Sequence, residues 1–182
     1  MNRPMVETRK EPDELMSQET GRDITVLNTD DWFQLCRLNA SHREILVQMY
    51  RSFEPLGQAL GLPPINEESR TLWIEHALRQ AINCGGFLAT GDLVGHSFLA
   101  LAGMGEAEIA VFVRQEHRRR GIGTDLIGTI LQWAARERVR RITGLIAAQN
   151  IPGERLLKRC GFRFSQYLLP AIEFDIEVAA LT

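Results

Sequence analysis

Arg118, Gly121 and Gly123 are spaced as a phosphate-binding loop would need them. They lie in V-R-Q-E-H-R-R-R-G-I-G-T, residues 113–124, after an apolar run at 107–113 and before an amphipathic helix. A helix start offers outward-pointing backbone N–H groups and about half a positive charge, which together attract an anion. Gly121 and Gly123 carry no Cβ, so a phosphate can approach the N–H groups of Gly121, Ile122, Gly123 and Thr124. Arg118, Arg119 and Arg120 place fixed positive charge beside them. An ordinary surface turn with solvated arginines has the same composition, so further residues must decide.

Two common phosphate motifs are excluded by single positions. The Walker loop requires Lys-Ser or Lys-Thr after its last glycine, and Thr124-Asp125 stand there. The dinucleotide fingerprint requires a third glycine where Leu126 stands, and an acidic residue where Ala147, Ala148 and Gln149 close the next strand. The remaining pattern, Arg118-x-x-Gly121-x-Gly123, resembles the Q/R-x-x-G-x-G/A signature of the GNAT acetyltransferases. A second stretch, residues 150–162, is similar to that family's later motif N-x-x-A-x-x-L-Y-x-K-x-G-F. Asn150, Leu156, Gly161 and Phe162 keep register, with Arg159 at the lysine position. Gly153 replaces the alanine and Leu157 the tyrosine.

The resemblance implies a coenzyme and a place for it. Acetyl-CoA would be the co-substrate, its pyrophosphate on the 118–124 loop and its pantetheine along the strand edge formed by Val111, Phe112 and Val113. One N–H of that edge would polarise the thioester carbonyl. Asn150 would reach the coenzyme, although capping the following helix is an alternative role for it. Glu108 is the candidate general base, since Ala107-Glu108-Ile109 resembles the glutamate-bearing strand of histone-type members. A carboxylate among Ile109, Ala110, Val111 and Phe112 invites desolvation, with a solvent-facing strand position as the equal alternative for Glu108. Glu106 is the reserve, and His96 reads more readily as a satisfied strand histidine than as a base. A base is needed because deprotonating a lysine-like amine at pH 7 costs roughly 4.6 kcal/mol. With Leu157 in place of tyrosine, Tyr167 is the candidate acid, although a thiolate leaves at a cost of only about 2 kcal/mol. The activity implied is direct acetyl transfer to a primary amine; a non-catalytic acyl-CoA sensor is the alternative.

Composition fits one domain of 182 residues, 45% hydrophobic, with no apolar run of about 18 residues for a membrane span. The charged start lacks a secretory pattern, and Cys36, Cys84 and Cys160 are scattered, so a cytoplasmic protein without a metal site is expected. Cys160, at a helix end, reads as a packed thiol. Charge is uneven: residues 114–163 hold 12 Lys/Arg against 4 Asp/Glu, in a chain of net charge −2. A basic region would steer coenzyme A toward its pocket. Arg136, Arg138, Arg140 and Arg141 are read instead as a solvated helix end. Nucleic acid is disfavoured as a partner, since neither interleaved aromatics nor a helix-turn-helix spacing accompanies the arginines. The assembly expected is a monomer or homodimer.

The elements needed to position these residues follow from periodicity. Residues 1–23 are polar and aperiodic and read as a loose tail, leaving 24–182 as one domain. Strands are expected at 24–27, 33–38, 87–90, 93–102, 107–113, 142–148, 162–169 and 172–178. Helices are expected at 41–53 (capped by Ser41), 66–82 (capped by Asn66, ended by Gly85-Gly86), 121–137 and 152–160. The second would bury Leu72, Trp73, Ala77, Leu78 and Ala81. Residues 54–65 read as a loop, and acceptor specificity is expected in the first two helices and the loop between them, especially 53–65, together with the last hairpin. The result is an α/β fold: a mixed, mostly antiparallel central sheet of six to seven strands flanked by about four helices.

Overall fold

A computed structural model describes residues 26–30, 32–57, 62–168 and 170–178, so the expected tail at 1–23 lies outside the described residues. The expected α/β architecture is present. The described strands form one eight-stranded sheet where six to seven strands were expected, in the order β1-β2-β3-β4-β5-β6-β8-β7, with the third strand at 81–88 and not 87–90. They are β1 (Val26–Asp30), β2 (Phe33–Leu38), β3 (Ala81–Leu88), β4 (Leu93–Gly103), β5 (Glu106–Val113), β6 (Arg141–Ala147), β7 (Arg163–Leu168) and β8 (Ala171–Glu177). Four helices accompany them: α1 (Arg43–Arg51), α2 (Glu67–Gln80), α3 (Ile122–Arg136) and α4 (Ile151–Arg159). Every strand pair is antiparallel except β5–β6, the pair joined across α3.

Each face of the sheet has its own core. Leu126, Ile127 and Ile130 of α3 are fully buried with Leu99, Ile109 and Ile142 on one face. Burying each such side chain contributes about 1.5–3 kcal/mol. On the other face Tyr50, Met49 and Leu46 of α1 and Ile74 of α2 pack over Phe87 and Phe112. α2 buries Arg70, Ile74 and Ala77, not Leu72, which is 58% exposed. Arg70 is held by donating from Nη1 to the carbonyls of Pro64 and Ile65.

Three local expectations are corrected. Gly85 and Gly86 do not end α2; they lie within β3, where a Cβ would meet Leu38 and Phe87 at position 85 and the Phe33 ring at position 86. These glycines therefore serve close packing of β3 against side chains of β2. Asn39, not Ser41, caps the first helical segment, its Oδ1 accepting from the Ser41 N–H at 2.9 Å. A 3-10 turn at Ala40–His42 then leads into α1. β1 runs on through Asn28–Asp30, past its expected end at residue 27. Asn66 caps α2 as expected, accepting from the Ser69 N–H.

One buried polar chain crosses the α1–α2 face. His96 is fully buried, with Nδ1 2.7 Å from Tyr50 Oη and Nε2 3.0 Å from Asn83 Oδ1. Asn83 Nδ2 donates to the carbonyls of Ala77 and Ala81, so its Oδ1 must accept. It follows that His96 donates from Nε2 and accepts from the Tyr50 hydroxyl at Nδ1. Both nitrogens are occupied, which makes His96 structural, as the strand reading expected. Burial pushes its imidazole down to about 3. Between pH 6.5 and about 3 the unfolded chain binds a proton that the folded chain does not, so stability falls as pH falls. His96 is expected to contribute about 1.4 kcal/mol of lost stability per pH unit in that window. Denaturant unfolding at several pH values should show this slope in the wild type and a shallower one in His96→Gln.

Candidate active site

The site begins where β5 and β6 part. Their parallel ladder has three rungs, Glu106↔Arg141, Ala107↔Ile142 and Glu108↔Thr143, and then stops. Both strands continue, β5 paired with β4 as far as Val113↔Gly95 and β6 paired with β8 as far as Ala147↔Ala171. The Arg114 N–H donates to the Val94 carbonyl at 2.9 Å, which sets the phase of the β4–β5 ladder. Residues of β5 two and four places back, Phe112 and Ala110, therefore turn their backbone groups toward β4. Val111 and Val113 turn theirs toward the gap. Phe112 is thus corrected as an edge residue: its backbone faces His96 on β4 and its ring is buried in the aromatic cluster with Tyr50 and Phe53.

The start of α3 closes one end of the gap. Gly121 takes φ 89°, a left-handed conformation that favours glycine, and as the N-cap it brings no side chain of its own to the helix start. The N–H groups of Ile122 and Gly123 lie in the first turn, where they point out of the helix end. Thr124 differs from expectation, because its N–H donates to the Gly121 carbonyl at 2.8 Å. The Ile122 side chain is buried in the core, so only its backbone can meet a ligand. Two close contacts seat this turn. A Cβ on Gly95 of β4 would meet Leu126 at 2.8 Å and Ile122 at 3.0 Å, and a Cβ on Gly123 would meet Leu156 of α4 at 2.8 Å. The same Gly123 position lies 3.7 Å from Val113 Cγ2, so the open helix end adjoins the free strand edge.

The three arginines divide. Arg119 and Arg120 are exposed beside the turn, Arg119 at φ 63°, a conformation uncommon for a residue with a Cβ. Arg118 does not extend toward the helix end as expected. Its Nε donates to the Val113 carbonyl at 2.9 Å and its Nη2 to the Glu54 carbonyl at 2.5 Å. Arg140 and Arg141 are likewise engaged, with the Met104 carbonyl and with Asp175, and so do more than solvate the end of α3.

Glu108 stands on the last shared rung of β5 and β6. Ala107 and Ile109 are buried toward α3, so alternation puts Glu108 on the α1–α2 face with Ala110 and Phe112. Its side chain is exposed, which is the solvent-facing alternative and not the desolvated one. Glu106 is exposed at the closed end of the ladder, opposite Arg141. Tyr167 pairs with Ile172 through the β7–β8 ladder, and its side chain lies outside the described residues. Leu157 is buried in the α3–α4 core. All three thiols are pushed up by burial, Cys36 to about 11 and Cys84 to about 12, with Cys160 raised as well. Among the described residues no group of His, Cys, Asp and Glu is arranged to hold a metal, and no helix is long and apolar enough to cross a membrane.

Asn150 follows β6 and caps α4, its Oδ1 accepting from the Gly153 N–H at 3.0 Å. Its side chain is exposed. Gly153 departs from the motif's alanine for a visible reason: a Cβ there would meet Ile146 Cδ1 at 2.6 Å and Asn150 Nδ2 at 2.9 Å. Gln115 was not anticipated. It bonds the segment after α1 on both a donor and an acceptor, and nothing in a lone glutamine after an apolar run announces this.

Comparison with known proteins agrees with this geometry. A family model described as the acetyltransferase (GNAT) family matches residues 39–162. No individually curated protein matches. The fold is similar to that of the ribosomal-protein-S18-alanine N-acetyltransferase from Escherichia coli, with TM-score 0.66 and 12% identity over 82% of this chain and 96% of that one. It is similar to the GNAT domain of S. lividans PAT, with TM-score 0.66 and 17% identity over 80% and 90% of the two chains. It also resembles the ribosomal-protein-alanine N-acetyltransferase from Brucella melitensis, with TM-score 0.62 and 17% identity over 79% and 98%.

Two substitutions test the local chemistry. Asn150→Ala is expected to lower unfolding free energy by about 1 kcal/mol through the lost cap, while Asn150→Asp, which still accepts, leaves it near wild type. Leu157→Tyr, which overfills a packed position, is expected to cost about 1–3 kcal/mol in the same denaturant titration.

Proposed function

The chain belongs to the acetyltransferase (GNAT) family, and from that premise we propose that it transfers an acetyl group from acetyl-CoA to a primary amine, directly and within a ternary complex. The observation that carries the reading is the parted β5–β6 edge with the glycine-headed start of α3 at its end. The first-turn N–H groups of Ile122 and Gly123 suit a pyrophosphate. Arg119 and Arg120 supply positive charge, and the N–H and C=O of Val111 with the N–H of Val113 suit the amides of pantetheine. Asn150 Nδ2 is the further polar contact. An N–H of the edge would stabilise the oxyanion formed as the amine adds to the thioester carbonyl.

Glu108 is proposed to receive the ammonium proton, directly or through water, at the point where the strands separate. No described cysteine suits an acyl-enzyme, because a thiol raised by burial is a poor nucleophile. The thiolate of coenzyme A would leave by taking a proton from Tyr167 or from solvent. The burial of Leu157 at the usual tyrosine position favours one other reading, a non-catalytic acyl-CoA sensor. A cytoplasmic location and a monomeric or homodimeric state complete the proposal.

Calorimetry with coenzyme A and acetyl-CoA tests the binding site, and a silent titration would remove the proposal. Thiol release with a panel of amines and peptides tests turnover. Glu108→Gln is expected to lower kcat/KM by about 10²–10⁴-fold with coenzyme affinity unchanged. Coenzyme affinity without turnover on any amine would favour the sensor. For a lysine-like acceptor the rate should rise about tenfold per pH unit above neutrality, levelling near 10, whereas an α-amine levels near 8.

A further inference from the structure

The segment that follows α1 is bonded to the phosphate loop at several points. Gln115 Nε2 donates to the Ser52 carbonyl at 3.2 Å, and the Glu54 N–H donates to Gln115 Oε1 at 3.3 Å. Arg118 adds a fork, from Nη2 to the Glu54 carbonyl and from Nε to the Val113 carbonyl. Its guanidinium carbon lies 5.8 Å from the centre of the Phe53 ring, against the edge of the aromatic cluster. Both arms of the fork end on neutral carbonyls, so the gain is in geometry and not in charge pairing. A lysine, with one compact ammonium, cannot reproduce a planar fork across two acceptors.

We propose that Gln115 and Arg118 are positioning residues that couple the two substrate sides: seating the coenzyme's diphosphate on the first turn of α3 orders residues 52–57, which wall the acceptor side. The inference rests on the coenzyme reading above. Only two residues separate Arg118 from Gly121, so fixing the first turn of α3 against a phosphate restricts the loop that carries both side chains. Gln115 and Arg118 transmit the restriction to positions 52 and 54. Order already established by one ligand need not be established again by the next, which is cooperativity without a change of shape. By linkage, an acceptor that orders residues 52–57 strengthens coenzyme binding by the same factor.

Amide hydrogen exchange on the full-length protein, with and without coenzyme A, tests this. In the wild type coenzyme A is expected to slow exchange at 121–126 and, by at least about fivefold, at 52–57, the lower end for coupled sites. In Arg118→Lys and Gln115→Ala the slowing at 121–126 should persist while that at 52–57 largely disappears. Lysine keeps the charge, so wild-type coupling in Arg118→Lys would overturn the proposal in favour of simple phosphate attraction. Equal acceleration at 52–57 with and without coenzyme would also overturn it, by making the contacts merely structural. Protection at 121–126 alone in the wild type refutes the coupling and leaves the coenzyme reading standing. Protection at neither segment refutes both.

Discussion

The loss of parallel hydrogen bonding after Glu108↔Thr143 is the constraint on which the rest of the molecule turns. Neither strand is deprived of structure by it, since β5 keeps β4 and β6 keeps β8 over their remaining lengths. What is lost is the shared edge, and an unpaired edge is a liability unless something else pairs with it. The phase of the β4–β5 ladder selects Val111 and Val113 as the residues that must find other partners. Arg118 already satisfies one of these groups, the Val113 carbonyl. The others are arranged as an extended ligand with alternating amides would require.

A gap between strands is useful only if its walls hold their positions. On the α3–α4 face this is achieved by glycines at contact points: Gly95 admits Ile122 and Leu126, and Gly123 admits Leu156. On the opposite face the work falls to a polar chain through Tyr50, His96, Asn83 and the carbonyls of Ala77 and Ala81, which ties α1, β4, β3 and the end of α2 together. Each member has one orientation that satisfies all its bonds. Such a chain specifies one arrangement among the surrounding aromatic rings, which could otherwise slide past each other. The first face therefore positions the start of α3 by close contact, and the second positions α1 and the end of α2 by directional bonds.

The glycine signature was legible because it answers to backbone geometry, which a sequence reports directly: Gly121 does take positive φ and Gly123 does meet a neighbouring helix. The cap at Asn66 was legible for a similar local reason. Gly85 and Gly86 misled because a glycine pair is ambiguous between ending a helix and admitting bulky neighbours from another strand. Only tertiary contact with Leu38 and Phe33 resolves it. Arg118 was read by its charge, whereas its role follows from two carbonyls, one of them 64 residues away in sequence. The exposure of Glu108 and the dual bonding of Gln115 were hidden for the same reason: each depends on which segment passes nearby.

Charge and hydrogen bonding are thereby separated within three consecutive residues. Arg118 is committed to neutral backbone oxygens, while Arg119 and Arg120 remain exposed beside the start of α3. Exposed charges act over a screening length of about 8 Å at physiological ionic strength, so they favour arrival of an anion more than they fix its position. Position must come from the N–H groups of the first helical turn, which are directional and are carried by a backbone wedged between β4 and α4. In the proposed coenzyme site, specificity for a diphosphate would then rest on Gly121 and Gly123, and its rate of capture on the arginines. The residue that heads the motif would serve neither role, because its fork holds the strand edge at Val113 and the segment after α1 at Glu54 in one frame.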